Sequence, residues 1–576
     1  MAVIVDAGDI PADTVINADL CIVGCGAAGM TIARELAGSS LKVVVLESGG
    51  LEYENEINDL NVGDIIGLPY FPLETARLRY FGGSTNHWGG LCRPLEPIDF
   101  EVRDWIPKSG WPISRSDLDP YYPRAAIQAG LSVADWDLAR WSAKSPYPVL
   151  PLGGDPIETV VAQVVNQNRR SFAPRDHAPI EAASNVTVYL HANAISIDTN
   201  ADGGHVEQIR AGTLAGSRFS VMARSYVVAT GGIENARLLL ASDGVQPAGV
   251  GNDNDMVGRH FMEHPRFRAG VILPADPRLR IGFYEAFDVE NTTLQGYLTL
   301  SNQAARQEGL TDVQIRLYPI YDPAIEAALD ATDADAARDL AERLGNPARI
   351  GSAIGELGKD LALVTTDLMT WQQAVIPGGP LAVPLPEVVD EIARRANSGQ
   401  IEAALPLVFG DLATVGFGKV AGGLPLEGIW LSTRIEQVPN PNSRVSLAEE
   451  RDAFGMRRVQ LDWQFTEIEK RSAVRALELL GAELGRTGLG RLRIEINDDP
   501  TSWPADLAGG WHHMGTTRMS EDPARGVVDR DCRVHGMDNL FIAGSSVFTT
   551  AGSGTPTMTL VALALRLSDH LRGQLG

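Results

Sequence analysis

Two adjacent histidines, His512 and His513, lie near the end of the chain in the run Trp511-His512-His513-Met514-Gly515-Thr516-Thr517-Arg518-Met519. Imidazole changes protonation near neutral pH, so either ring is suited to giving or taking a proton in a reaction. On extended backbone, neighbouring side chains face opposite ways, so only one of the pair is expected to point into a site. After the pair come a short apolar strand expected at residues 539–543, a loop rich in Gly, Ser and Thr, and a closing helix expected over residues 558–570. Pro556 and the N–H groups of Thr557 and Met558 open that helix, and proline suits a first helical turn. A helix N-terminus carries unpaired N–H groups and the positive end of a dipole. A histidine near it suits acid–base chemistry beside a bound anion or an electron-rich ring.

The element that could seat such a ring lies at the opposite end of the chain. Residues 18–50 have the pattern of one β-α-β unit. An apolar strand at 18–23 runs into Gly24-Cys25-Gly26-Ala27-Ala28-Gly29. A helical stretch at 30–37 follows, and a second strand at 42–46 ends on Glu47. Gly24 permits the tight turn, Gly26 lets backbone approach a pyrophosphate, and Gly29 lets the helix pack on the strand. Ala27 and Ala28 place the helix N-terminus against phosphate. Glu47, followed by Ser48, stands where a carboxylate can accept from ribose hydroxyls. A later strand and turn, Val227-Val228-Ala229-Thr230-Gly231-Gly232, can return the chain to the same sheet beside the dinucleotide.

With these pieces in place the chain resembles the glucose–methanol–choline (GMC) family of FAD-dependent oxidoreductases, and within it the bacterial sugar-oxidising branch near pyranose oxidase and flavin glucose dehydrogenase. Besides the fingerprint and the C-terminal region, the resemblance rests on three blocks. They are Arg79-Tyr80-Phe81-Gly82-Gly83-Ser84-Thr85-Asn86-His87-Trp88-Gly89-Gly90, Ala229-Thr230-Gly231-Gly232-Ile233-Glu234-Asn235-Ala236-Arg237-Leu238, and Val257-Gly258-Arg259-His260-Phe261-Met262-Glu263-His264-Pro265. The resemblance implies an α/β fold: a Rossmann-like FAD-binding domain and an α+β substrate-binding domain built on an antiparallel sheet.

The resemblance also implies roles for individual residues. FAD is the cofactor, held by the fingerprint, by Gly83, Ser84, Thr85, Asn86, His87 and Trp88, by the backbone of Asn193-Ala194 near the adenine, and by Ala229, Thr230, Gly231, Gly544 and Ser545. Pro556, Thr557 and Met558 face the flavin's pyrimidine edge. In some relatives a histidine at the place of His87 is bonded covalently to the flavin; the alternative is a ring packed against its dimethylbenzene edge. His512 matches the family's catalytic histidine by its spacing to Gly515-Thr516. As general base it would take the hydroxyl proton while hydride passes to flavin N5, with O2 or another acceptor receiving the electrons. The departure is Thr555, which stands where relatives carry His or Asn. Three consequences are open. Thr555 contacts the substrate oxygen directly or through water, His513 compensates, or the reaction is altered, as in a flavin-fold lyase of the hydroxynitrile lyase kind. A third class is a flavin-binding protein with little catalysis. Thr549 stands where the family has proline. His264, in a Glu-His-Pro turn, is expected to be structural, and Gln437 is either a polar substrate contact or part of a strand end.

Bulk properties limit the partners. A chain of 576 residues exceeds one core, so several domains are expected. The net charge of −24 disfavours nucleic acid and anionic membrane surfaces. Four scattered cysteines in no metal or disulfide spacing predict no metal site. No apolar run suggests a membrane span and the N-terminus has no secretory pattern, so a cytoplasmic protein acting on a small molecule is expected. The FAD-binding domain is expected at 1–105, 185–270 and 505–576, a connecting and covering segment at 106–184, and the substrate-binding domain at 271–504. Strands are expected at 312–317, 428–432, 443–447 and 457–463, and a helix around 117–127. An amphipathic helical insert is expected at 324–363 and 384–404, with residues 371–376 between.

Overall fold

A computed structural model describes residues 4–321 and 426–576. The insert expected at 324–363, 371–376 and 384–404 lies outside the described residues.

The β-α-β unit forms as its sequence requires. Strand β1 (Val15–Val23) is buried through its last four residues, and β2 (Val43–Leu46) is buried throughout. Continuous apolar runs of this kind suit parallel strands covered on both faces. Between them lies helix α1 (Ala27–Leu36). Strand β3 (Arg218–Val228) is parallel to β1 and begins earlier than the sequence motif suggests; helix α2 (Gly231–Ala241) follows it. The sheet order is Ile4–Asp6, Val186–Leu190, β2, β1, β3, Val206–Gly212, Asn193–Thr199, with β7 (Leu540–Ile542) beside the end of β3. Segments from both ends of the chain thus meet in one sheet.

A second sheet is antiparallel. Its order is Gly490–Ile494, β4 (Arg266–Pro274), β6 (Leu426–Ile435), β5 (Val313–Tyr321), Thr292–Leu300, Ile157–Val164 and Leu91–Cys92, with Phe287–Val289 beside Thr292–Leu300. Along β6, Ile429, Leu431, Thr433 and Ile435 are buried, while Trp430, Ser432 and Arg434 are half-buried. The buried face packs on helix α3 (Glu467–Thr487) through Leu477, Leu480 and Leu484. A capping box at Thr466 and Glu469 starts α3, and Gly488, at φ 70°, ends it. Strands Arg444–Arg451 and Arg457–Asp462 form a small third sheet with Gly63–Ile65.

The helix expected at 117–127 is two, Arg115–Leu118 and Tyr122–Ala129, because Pro120 has no N–H to donate. The last helix, α4 (Pro556–Leu575), starts at its proline and outlasts the expected end; it packs against α1. Among the described residues no helix is long and apolar enough to cross a membrane.

Candidate active site

The carboxyl ends of β1, β3 and β7 open on one edge, and the glycines there divide into two kinds. Gly24 (φ 98°) and Gly29 are packed shut: a Cβ on Gly24 would meet the Ala229 carbonyl oxygen at 2.7 Å, and one on Gly29 the Gly24 carbonyl oxygen at 1.9 Å. Gly26, Gly89 and Gly231 face open space, where an added Cβ would meet nothing within 4 Å, and one on Gly544 would meet only Leu560 at 4.0 Å. A Cβ on Gly83 would meet Gly26 Cα at 3.2 Å, so the 79–90 block lies over the fingerprint. Neither α1 nor α4 has a side-chain cap at its N-terminus. Open glycines and uncapped helix starts at the ends of parallel strands form a cradle that a dinucleotide fits.

Side chains around the cradle are mostly occupied by the protein itself. Glu47 accepts from Cys25 N–H at 2.8 Å and Gly49 N–H at 3.1 Å; each oxygen keeps a lone pair for a hydroxyl. Burial raises its carboxyl, while the backbone donors of Gly49 and Cys25 oppose that. Ser48 donates to Asn193, which brings the two segments expected near ribose and adenine together. Thr85 donates to Gly82 O at 2.6 Å, and Asn86 donates to Phe81 O at 2.9 Å and accepts from Ser171. These two side chains shape their own loop, leaving its backbone to meet a ring. Trp88 donates to Arg170 O at 2.8 Å, and Ser84 is exposed. His87 Nε2 lies 2.5 Å from the Tyr80 hydroxyl. Ser545 donates to His513 O at 2.6 Å. Thr230 donates to Asn235 Oδ1 from both its N–H and its hydroxyl. Ala194 lies on the edge strand Asn193–Thr199.

The histidine pair separates as extended backbone requires. His513 Nε2 bonds to the Tyr70 hydroxyl at 2.9 Å among Tyr70 and Phe261, and Tyr70 donates to Glu263. Burial, with Arg77 adding to it, pulls His513 down to about 3. His513 is thus a neutral packing residue here and does not join His512. Glu263 is fully buried and holds the segment, accepting from the N–H groups of Gly510, His512 and His264 at 2.9, 2.9 and 2.8 Å. Trp511, at φ 57°, is stacked on Phe71 with ring centroids 4.8 Å apart. Packing on that scale can hold a backbone conformation that costs about 1–3 kcal/mol.

His512 meets a second histidine instead. His512 Nδ1 lies 2.7 Å from His264 Nδ1, and His264 Nε2 lies 2.6 Å from Gly552 O. A carbonyl only accepts, so His264 carries its proton on Nε2 and its Nδ1 accepts. His512 must then donate from Nδ1, which leaves its Nε2 as a lone pair with no partner among the described residues. Burial, then repulsion from His264 and Arg434, holds His512 well below the usual imidazole range; burial pulls His264 down to about 4. His264, expected to be merely structural, sets the tautomer of His512. The local sequence marks its Glu-His-Pro turn but not this long-range contact.

Thr555 is 5 % exposed and donates its hydroxyl to Leu91 O at 2.6 Å. Its donor therefore faces the protein rather than a substrate; only its lone pairs can face the site. Thr549 donates to Met519 O at 3.1 Å. Gln437 is fully buried, accepting from Glu263 N–H and Trp463 Nε1 at 2.9 Å each, and is a structural tie. Tyr70 gave no sequence signal; Glu263 lies in the 257–265 block that carries the resemblance, but no local pattern marks it as the acceptor for three backbone N–H groups. Among the described residues no group of three or more His, Cys, Asp or Glu could hold a metal.

Residues 439–564 match the family model described as GMC oxidoreductase. The chain is 22% identical to the fructose dehydrogenase large subunit of Gluconobacter japonicus, over 97% of this chain and 98% of that protein. It is 25% identical to 6'''-hydroxyparomomycin C oxidase of Streptomyces lividus, over 97% and 92%. In fold it is similar to the formate oxidase of Aspergillus oryzae, with a TM-score of 0.51 and 15% identity over 97% of this chain and 98% of that one.

Proposed function

We propose that this chain is an FAD-dependent oxidoreductase of the GMC kind, which oxidises a secondary hydroxyl of a sugar, glycoside or polyol with His512 as general base. The observation that carries this reading is the proton order Gly552 O, His264, His512. It presents an unprotonated Nε2 at a half-buried ring, a lone pair free to accept a proton.

FAD, when bound, would supply the hydride acceptor and the route for electrons to O2 or a separate acceptor. The chain's own residues do the rest. The uncapped first turn of α1 and the open side of Gly26 would hold the pyrophosphate. The start of α4 at Pro556, Thr557 and Met558 presents N–H groups and a positive dipole end where negative charge on the ring would develop. His512 Nε2 takes the hydroxyl proton. His264 keeps the ring in the required tautomer and shares the charge of the imidazolium that results. Glu263 fixes the backbone on both sides of the pair, so the geometry is set before substrate arrives.

Support for a sugar or related polyol comes from the relatives, which are named for fructose and for an aminoglycoside. The test is anaerobic mixing of the FAD-loaded protein with sugars, glycosides and simple alcohols. Bleaching of the visible flavin band supports oxidation. Turnover without bleaching contradicts it and favours a lyase.

A further inference from the structure

The sheet face next to His264 is positively charged. Strand β4 begins at Arg266, two residues after His264, so the two side chains share a face. Arg266 pairs across the ladder with Arg434 on β6, and Arg434 pairs with Gln314 on β5. Arg316, two residues beyond Gln314 and opposite Ser432, faces the same way. Directly opposed side chains in antiparallel sheet have Cβ atoms about 5 Å apart, and diagonal ones about 7–8 Å. Further along the face Tyr318 stacks on Trp430, with ring centroids 4.1 Å apart and planes at 11°. The opposite face is the apolar one packed on α3, so this polar face looks toward the histidines.

These arginines differ in what satisfies them. Arg266 lies over the Trp511 ring at 5.0 Å. Among the described residues the one hydrogen bond of the Arg316 guanidinium runs from Nε to Gln314 Oε1 at 3.3 Å. Among the described residues neither Arg316 nor Arg434 has a carboxylate at ion-pair distance. Glu263, the acid that influences Arg434, already accepts from Tyr70 and three backbone N–H groups. Burial, then repulsion from Arg316 and Arg266, pulls Arg434 down to about 9. A guanidinium that is desolvated and surrounded by like charge is destabilising until an anion joins it. This cationic face also stands in a chain of net charge −24, so it is a local reversal of the overall field.

We infer that the substrate of this site carries an anionic group, a carboxylate or phosphate on the sugar or polyol, which Arg434 and Arg316 bind while His512 meets the hydroxyl. This rests on the oxidoreductase reading above. The planar fork of each guanidinium suits either oxyanion bidentately. The Tyr318–Trp430 pair extends the face beyond the anion site and suits the apolar side of a sugar ring.

The test compares matched pairs with the FAD-loaded protein: glucose against glucuronate, gluconate and glucose 6-phosphate, each by anaerobic flavin reduction. At least one acid should have kcat/KM about tenfold or more above glucose, and the better of glucuronate and glucose 6-phosphate identifies carboxylate or phosphate. R434Q and R316Q should each reduce that preference about tenfold, and R434K, which keeps the charge but not the fork, should recover part of it. A second readout needs no turnover: malonate, which has no hydroxyl to oxidise, should perturb the flavin spectrum of the wild type saturably and of R434Q far more weakly. Glucose reduced as fast as all the acids would overturn the inference. So would an unchanged preference and unchanged malonate binding in both variants at full flavin content, the result expected if the chain itself satisfies these arginines. If no alcohol reduces the flavin, the oxidoreductase reading fails instead, and the malonate titration still decides whether the arginines bind an anion.

Discussion

His512 Nδ1 and His264 Nδ1 lie 2.7 Å apart, and the direction of that hydrogen bond is set from outside the pair by the Gly552 carbonyl at the far side of His264. One backbone acceptor thus determines which nitrogen of His512 is free. Replacing His264 by Phe removes the acceptor for His512 Nδ1–H and lets the ring change tautomer. We expect kcat to fall about tenfold or more with KM little changed, and H264Q, whose amide oxygen can accept, to recover part of the loss. Equal loss in H264F and H264Q would argue that only packing is at stake.

Removing the base itself should cost more. H512A is expected to lower kcat/KM about 10²–10⁴-fold while flavin content is retained. H513A should act chiefly on thermal stability, because His513 is bonded to Tyr70, which in turn donates to Glu263, rather than to the free nitrogen. A larger catalytic loss in H513A than in H512A would exchange their roles.

The pH dependence follows from the direction of the His512 shift. The base works unprotonated, and burial with the charges of His264 and Arg434 holds it below the usual range. Activity should therefore stay level as pH falls through about 6.5, where an ordinary histidine protonates, and drop only in more acid solution. In R434Q the acid limb should move to higher pH. A wild-type kcat/KM profile with its acid limb near 6.5 would contradict this.

Thr555 offers a separate check. Its hydroxyl donates to Leu91 O at 2.6 Å from a buried position. T555V should leave that carbonyl short of a donor and cost about 1–3 kcal/mol in denaturant unfolding, with kcat/KM reduced less than tenfold. A loss approaching that of H512A would mean that the Thr555 lone pairs do carry the substrate hydroxyl.

Glu234 on α2 joins Arg79 at 2.6 Å, Arg237 at 3.0 Å and Arg77 at 3.1 Å, all with side chains no more than about 15 % exposed. Its burial alone would raise the carboxyl, but Arg79, Arg237 and Arg77 outweigh that and hold it far below the carboxylate range. E234Q leaves three guanidiniums without their shared partner and should cost about 3–5 kcal/mol. A group with a depressed folded pKa contributes fully above its unfolded value, about 4.3, and loses that contribution as pH falls further. The gap in melting temperature between wild type and E234Q should be constant above about pH 5 and narrow below about pH 4.

What could be read from the sequence was local. The fingerprint was legible because Gly24, Gly26, Gly29 and Glu47 sit in one short unit whose turn, phosphate seat and helix packing each need a particular residue. The separation of His512 from His513 was legible from the alternation of extended backbone. What the sequence did not disclose depends on contacts between distant segments. His264 meets His512 across 248 positions, and Arg103 reaches Glu436 across 333. Gln437 reads in sequence as either a polar substrate contact or part of a strand end; Glu263 N–H and Trp463 Nε1 donate to it in the interior. The arginines of β4, β5 and β6 lie in three separate stretches of chain, and only the strand register places them together.

The central claim is that this site removes a proton and a hydride from an alcohol, and anaerobic reduction of the FAD-loaded protein tests it most directly. An alcohol from the sugar and sugar-acid set should bleach the visible flavin band at a rate that H512A lowers at least about a hundredfold. Bleaching at the same rate in wild type and H512A, or substrate turnover with the flavin band untouched, would contradict it.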